Sequence, residues 1–500
     1  MALVFGSASS QRSSEISRDV KAGRLRKLAS KIYSNDLKVP AEDIILRHRF
    51  EIAAHFYPGA VISHRSVLEP GQAGAGGRLH LSVPSPTTPV RSLPGLEIRV
   101  WQGPDPQPED TRTVFDNDYP LFTACQARAV LENLQIARAR GDDEPKTLSR
   151  EALEQWIEHK IRLLGGMTWL DELHVRAREL AARFGWTREQ AELDKLVAAF
   201  KGQAPTVRLH SGVARARATG KPYDPERLDL FRGLHARIAA ETFRALPAPP
   251  EAETDNRAFW EAYFSNFIEG TKFTVEEAQV LVYDGEAAQR LEAERPDDAH
   301  DVRETYRLIA DHNISREVAA DAPHFIELLK RRHARMMASR LSILPGVFKK
   351  KANSFGTRDF VAPDLVSETL ARAWPLSQAL PAGPARALFM LFLIAEVHPF
   401  TDGNGRISRL GMNAELEHAD CARLILPTAF RSDYLSVLEA LTTNRNPEPY
   451  VTFCHRLIEL NSRMVFTTFA AAHEHFRQTG ALNDTLNNFG LLPLLEAGKL

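Results

Sequence analysis

Cysteine is scarce: three residues in 500, Cys125, Cys421 and Cys454, odd in number and far apart. That scarcity, without CxxC spacing, excludes a disulfide framework and a structural zinc site. Long apolar runs are missing too. The longest, residues 387–395, has nine residues, against about 20 for a membrane-spanning helix. At the start only residues 2–5 are apolar, too few for the hydrophobic region of a secretory signal. Charge of one sign is also lacking, since 63 Lys and Arg against 64 Asp and Glu leave a net charge of −1. The balance excludes a chain-wide polycation that holds nucleic acid by charge alone, and equally an acidic disordered chain. What remains, 44% apolar and 25% charged, is ordinary globular composition. At roughly 100–200 residues per domain the length implies about three domains. The expected setting is the cytoplasm, with no membrane partner.

Charge is unevenly placed. The first 50 residues hold ten Lys and Arg against five Asp and Glu. Ser13 opens a short amphipathic pattern with Ile16 and Val20 on one face, and Gly23 stands where such a helix ends. Residues 24–29 and 31–33 read as two strands around a turn, and 40–56 as a second helical stretch. From 59 to 108, short β-like runs at 79–83 and 96–101 alternate with Gly and Pro; helical periodicity returns over 112–200. Residues 201–223 have few large apolar side chains and are the expected linker. From 224 to 478 the pattern is helical, except that 346–361 reads as a β-hairpin. The domain plan is therefore 1–60, 61–200, a linker at 201–223, 224–478, and a tail at 479–500.

One segment carries chemistry. Residues 388–397 predict a buried apolar helix that runs into His398, Pro399, Phe400, Thr401, Asp402, Gly403, Asn404, Gly405 and Arg406, with Arg409 one turn on. Pro399 ends the first helix, because it donates no N–H and restricts the residue before it. Gly403 and Gly405 let the chain turn tightly and bring bare N–H groups near a ligand. A second helix starts near Arg406, with Ile407, Leu410 and Ala414 inward. Free N–H groups at a helix start and two arginines make a polyphosphate cradle. Asp402 suits a Mg²⁺ that bridges phosphates, and His398 suits a general base. Together these residues point to phosphate-anhydride chemistry.

Residues 398–409 resemble the complete signature loop of the Fic family. The resemblance implies a mainly α fold, with an all-helical Fic domain over 224–478 and the 346–361 hairpin as its flap, which aligns a target segment by strand addition. It implies AMP transfer from ATP with Mg²⁺ to a Ser, Thr or Tyr hydroxyl of a target protein. His398 would deprotonate that hydroxyl and Asp402 would hold the metal. Gly403, Asn404 and Gly405 would form the anion hole, and Arg406 and Arg409 would bind the β- and γ-phosphates. Upstream, Ser265, Asn266, Phe267, Ile268, Glu269 and Gly270 fit the family's inhibitory pattern, in which Glu269 pairs with Arg409; Ser265 and Gly270 are its other fixed positions. The N-terminal region resembles the winged-helix and second domains of AbiEi-type antitoxin regulators, a mixed α/β module that opens DNA as a partner through Arg24, Arg26 and Lys27. A second copy of the chain stays open as a partner. Two alternatives accompany this reading: removal of AMP from a modified target at the same site, and a DNA-binding regulator whose Fic domain senses nucleotide.

Overall fold

The computed structural model describes residues 3–6, 9–69, 77–88, 90–115, 119–137, 144–355 and 358–483. The chain divides into two compact units, Met1–Gly220 and Lys221–Leu500, and the elements are mainly helices.

The N-terminal unit opens with β1 (Leu3–Phe5), a helix at Ser10–Lys21, β2 (Arg26–Ala29) and β3 (Ile32–Ser34), whose strands form an antiparallel sheet in the order β1-β3-β2. Ala22 caps the helix and Gly23 takes φ +69, a conformation that glycine adopts without strain. Helices Ala41–Arg47 and Arg49–Phe56 follow. Next come β4 (Val61–Ile62), β5 (Arg78–Val83), β6 (Val90–Leu93), β7 (Leu96–Gln102), β8 (Thr111–Val114) and β9 (Pro120–Thr123). These form a mixed sheet in the order β6-β7-β5-β4-β9-β8, parallel at β5–β7 and β4–β9.

Three expectations change here. The division at residue 60 disappears, because Leu28, Ile32, Ile44 and Ile45 share one core with Ile62, Leu79, Leu81 and Ile98. Sixty residues with so few large apolar side chains bury them against the following sheet. The helical stretch expected from 112 starts only at Gln126, since β8 and β9 come first; their four-residue runs are too short to hold a helical period. The linker at 201–223 contains a helix, Gly212–Ala218, capped by Ser211. Leu209 and Ala214 join the core of Leu153 and Leu193, so small residues here mean close packing rather than solvation.

The second unit is built around the Pro384–Val397 helix, buried continuously from Ala387 to Val397. Phe389 and Phe392 meet Phe231 edge-on, and Tyr450 donates its hydroxyl to the Leu388 carbonyl at 2.7 Å. The Asn404–His418 helix packs along it, with Ile407, Leu410 and Ala414 inside. Helix Glu251–Ile268 is followed by Val275–Tyr283, which starts with a capping box between Thr274 and Glu277. The expected hairpin is present but short: β10 (Ser354–Phe355) pairs with β11 (Arg358–Asp359), in register Ser354 with Asp359. Ahead of it the chain is occupied elsewhere, as the Lys349 N–H donates to the Pro399 carbonyl at 2.9 Å. Of the expected tail, 484–500 lie outside the described residues, while Ala481 is buried. No helix among the described residues is long and apolar enough to cross a membrane.

Candidate active site

The Pro384–Val397 helix ends at His398, whose N–H still reaches the Ile394 carbonyl at 3.0 Å but whose backbone flips to φ 51 and ψ 60. The turn that follows is closed by Asn404. Its side-chain oxygen accepts the Phe400 N–H at 2.8 Å, and its amide donates to the Phe400 carbonyl at 2.9 Å. Gly403, at φ 77, then caps the Asn404–His418 helix. The Asn404 side chain therefore shapes the loop, and only its backbone stands at the helix start.

His333, which no motif singles out, holds this turn from outside. Its ring stacks on Phe400 with centroids 3.7 Å apart. Nε2 donates to the Asp402 carbonyl at 3.0 Å, and Nδ1 accepts the Gly346 N–H at 2.9 Å. Both nitrogens are used as in a neutral ring, and burial pushes its pKa down to about 4. Asp402 itself is exposed, with Oδ1 accepting the Gly403 N–H at 2.7 Å.

His398 faces a cavity of about 230 Å³ lined also by Glu269, Gly405, Arg358, Phe360 and Tyr434. Its ring stacks on Phe360 at 3.8 Å. Nδ1 lies 3.3 Å from the Ala395 carbonyl; a carbonyl only accepts, so Nδ1 carries the hydrogen and Nε2 keeps its lone pair. Burial first, and the Lys349 ammonium among lesser causes, hold its pKa down at about 4. The imidazole is neutral at pH 7, ready to accept a proton.

Two arginines one turn apart have different fates. Arg406 points inward: Nη1 donates to Asp301 at 2.6 Å and to Asn266 Oδ1 at 3.1 Å. Asp301 is fully buried and also takes Arg340 at 2.9 Å. In this arrangement the Arg406 guanidinium neutralises a buried carboxylate through Nη1 rather than lining the cavity expected to take phosphates. Arg409 turns to the 265–270 segment. Nε donates to Ser265 Oγ at 3.0 Å, and Nη2 donates to the Ser265 carbonyl at 2.9 Å and to Glu269 Oε1 at 2.7 Å. Nη1 is buried and has no hydrogen-bond partner among the described residues. Glu269 caps its helix, and Gly270 at φ 98 turns the chain away. The Glu269 carboxylate lies over Gly405, where an added Cβ would come within 2.0 Å of Oε1. A negative group thus sits on the first turn of a helix, where the helix dipole favours anions.

A second buried network ties the hairpin to this helix. Glu396, two residues before His398 and fully buried, meets Arg227 at 2.9 Å, Arg358 of β11, and the Thr442 hydroxyl at 2.7 Å. Arg227 also donates to the Asp359 carbonyl. Asn353 accepts from Lys349 Nζ at 2.6 Å and donates to the Phe400 carbonyl at 3.1 Å. Burial drops the Lys349 pKa to about 7. One signal for this network was in the sequence: Glu396 is the lone acid of an apolar helix, and a buried charge requires a partner.

Three kinds of comparison bear on this arrangement. Residues 325–416 match the family model described as Fic/DOC family. The chain is 25% identical over 284 residues to the protein adenylyltransferase Fic of Nematostella vectensis, covering 54% of this chain and 63% of that protein. It is 40% identical over 62 residues to the protein of that name in Drosophila mojavensis, 12% of each chain. The chain therefore spans less than two thirds of the curated relatives it matches. Among solved structures it is similar to Fic-1 from C. elegans, with 19% identity and a TM-score of 0.36, covering 65% of this chain and 93% of that one. It is also similar to a Fic domain containing signaling protein from Bacteroides thetaiotaomicron, with 17% identity and a TM-score of 0.35, covering 49% and 97%.

Proposed function

We propose that the Fic/DOC domain carried by residues 325–416 serves a protein adenylyltransferase that transfers AMP from ATP to a hydroxyl of a target protein, and that Glu269 restrains it. The observation that carries this reading is the Glu269 carboxylate resting on Gly405 and on Arg409. An internal anion occupies a place that suits a phosphate. Arg409 Nη1, buried and without a partner among the described residues, is a donor that a polyphosphate would satisfy.

In the active arrangement Glu269 withdraws and Arg409 takes the γ-phosphate. The Gly403 N–H, held by Asp402 Oδ1 in this structure, is released to the phosphates and joins the N–H groups of Asn404 and Gly405 at the helix start. His398 Nε2 accepts the hydroxyl proton as the oxygen bonds to the α-phosphorus. The bond from that phosphorus to the bridging oxygen breaks, and pyrophosphate leaves. Among the described residues no group of three or more His, Cys, Asp or Glu could cage a metal. Exposed Asp402 fits Mg²⁺, which usually takes one or two carboxylates together with substrate phosphates and water. When bound, the ion neutralises phosphate charge in the transition state.

The test is label transfer from α-labelled ATP. Glu269→Gly should label itself or lysate proteins about tenfold or more faster than wild type, since a charge-assisted pair is worth about 1.5–3 kcal/mol. Arg409→Ala should show no such gain, because it removes the phosphate partner as well. No label from either Glu269→Gly or wild type would remove the reading. Loss of AMP from a prelabelled protein that requires Glu269 would assign the reverse reaction.

One observation favours a second role, DNA contact by the N-terminal unit. The Ser10–Lys21 helix buries only Ile16 and exposes Arg12, Arg18 and Lys21 beside a three-stranded sheet. The phosphate contacts expected of Arg24 and Arg26 do not carry this reading. Arg24 pairs with Asp19 at 2.6 Å, and Arg26 donates to the Val39 carbonyl. Neutralising Arg12, Arg18 and Lys21 in the full chain should flatten the salt dependence of duplex binding; an unchanged slope removes this role.

A further inference from the structure

We propose that the exposed apolar loop 341–347 and the adjoining Lys350 and Lys351 form a docking surface for an acidic target segment that also bears an apolar side chain, and that this surface selects the target. The proposal rests on the transfer reading above and adds the class of its protein substrate.

The first observation is exposure. Leu341 is 76%, Leu344 46% and Val347 43% exposed. No other seven-residue stretch among the described residues presents three large apolar side chains to solvent. A single exposed leucine needs no explanation, but a cluster marks an interaction site.

The second observation is that the loop is held in place. Leu344 is left-handed, at φ 56 and ψ 73, a conformation that β-carbon sterics disfavour and that persists only where the surroundings impose it. Those surroundings are visible. Arg340 pairs with Asp301 at 2.9 Å and Asp298 at 2.7 Å. The Val347 N–H donates to the Leu344 carbonyl at 3.0 Å, and the Gly346 N–H donates to His333 at 2.9 Å. Apolar side chains on a loop fixed this way are presented to a partner at little entropic cost.

Position and charge name the occupant. His333 joins Gly346 to Asp402, and Lys349 joins the next turn to Pro399, so the loop is tied at two points to the segment that carries His398. The loop therefore adjoins the turn that follows His398. Lys349 is buried and engaged with Asn353. Lys350 and Lys351 are exposed, and neither pairs with an acid among the described residues. Two free ammonium groups next to a leucine-rich loop complement an acidic segment with an apolar anchor.

The experiment uses full-length Glu269→Gly protein, α-labelled ATP and two synthetic peptides. Each peptide carries one threonine and one leucine, with glutamates in one and lysines in the other. The acidic peptide should be labelled with kcat/KM about three- to tenfold above the basic one, the range that two exposed ion pairs support. The double variant Lys350→Glu, Lys351→Glu should invert that preference, which a structural defect cannot do. Leu341→Ser should raise KM for both peptides and leave kcat unchanged. Equal labelling of the two peptides, no inversion, or labelling of neither while the protein labels itself would overturn the docking surface alone. Absence of any label, self-labelling included, would overturn the transfer reading and the proposal with it. Lysine-dependent sedimentation with anionic-lipid vesicles would reassign the patch to a membrane, and Leu341-dependent self-association would reassign it to a second copy; either result overturns the proposal.

Discussion

Glu269 and Gly405 touch so closely that the glycine has no room for a side chain: an ideal Cβ would stand 2.0 Å from Oε1 and 2.8 Å from Cδ of the glutamate. Gly405 has an ordinary helical backbone and is absent from the positive-φ residues. Close approach of an acid, and not conformational freedom, is what the glycine permits here.

Gly405→Ala should therefore displace the Glu269 carboxylate without creating an active enzyme, because the same methyl group fills the place of a phosphate. In the Glu269→Gly background, Gly405→Ala should lower label transfer by about a hundredfold, the cost of misplacing reacting groups by about 1 Å. Transfer unchanged by the added methyl would move the phosphate site elsewhere.

The pH profile follows from His398. With its pKa held at about 4 by burial, the free base is present at all higher pH, so kcat/KM should be level through the neutral range and halve near pH 4. An ordinary histidine would halve it near about 6.5. The Lys349 charge helps to depress that value, so Lys349→Met should raise it and move the acid limb to higher pH. An acid limb near about 6.5 in the parent protein would contradict the burial of the base, and an acid limb that His398→Ala leaves in place would contradict the role of His398 as base.

Asp301 anchors Arg406 at 2.6 Å inside the protein. Asp301→Ala should cost about 3–5 kcal/mol, the usual loss on breaking a buried pair, read as a lower denaturant midpoint without nucleotide. A loss that appears only with ATP present would return Arg406 to phosphate binding.

Asp402→Ala should abolish the Mg²⁺ dependence of label transfer and most of the transfer itself, while the unfolding free energy stays within about 0.5 kcal/mol of wild type, as for an exposed residue. Full activity of the parent protein in EDTA would dismiss the metal role.

Legibility followed sequence distance. The 384–418 pair of helices and the turn between them are written locally, through a continuous apolar run, Pro399 and the glycines, so their placement could be anticipated. The same local text could not say which arginine faces inward, because that depends on Asp301, 105 positions away in the chain. His333 and Arg227 carry no motif, and the partners that bring them to the site, Asp402 and Glu396, lie 69 and more than 160 positions off. In the N-terminal unit the six-stranded order β6-β7-β5-β4-β9-β8 is set by nonlocal pairing. Two-residue β4, at the centre of that sheet, has no period to read.

His398 occupies a helix end at φ 51, a geometry in which glycine is at ease and most residues are strained by about 1–2 kcal/mol. Stability and chemistry consequently pull this position in opposite directions. Backbone conformation alone would choose glycine there, so His398→Gly should unfold at a higher temperature than His398→Ala, which loses the same ring contacts but keeps a Cβ, while both lose activity. The imidazole is retained against the preference of its own backbone.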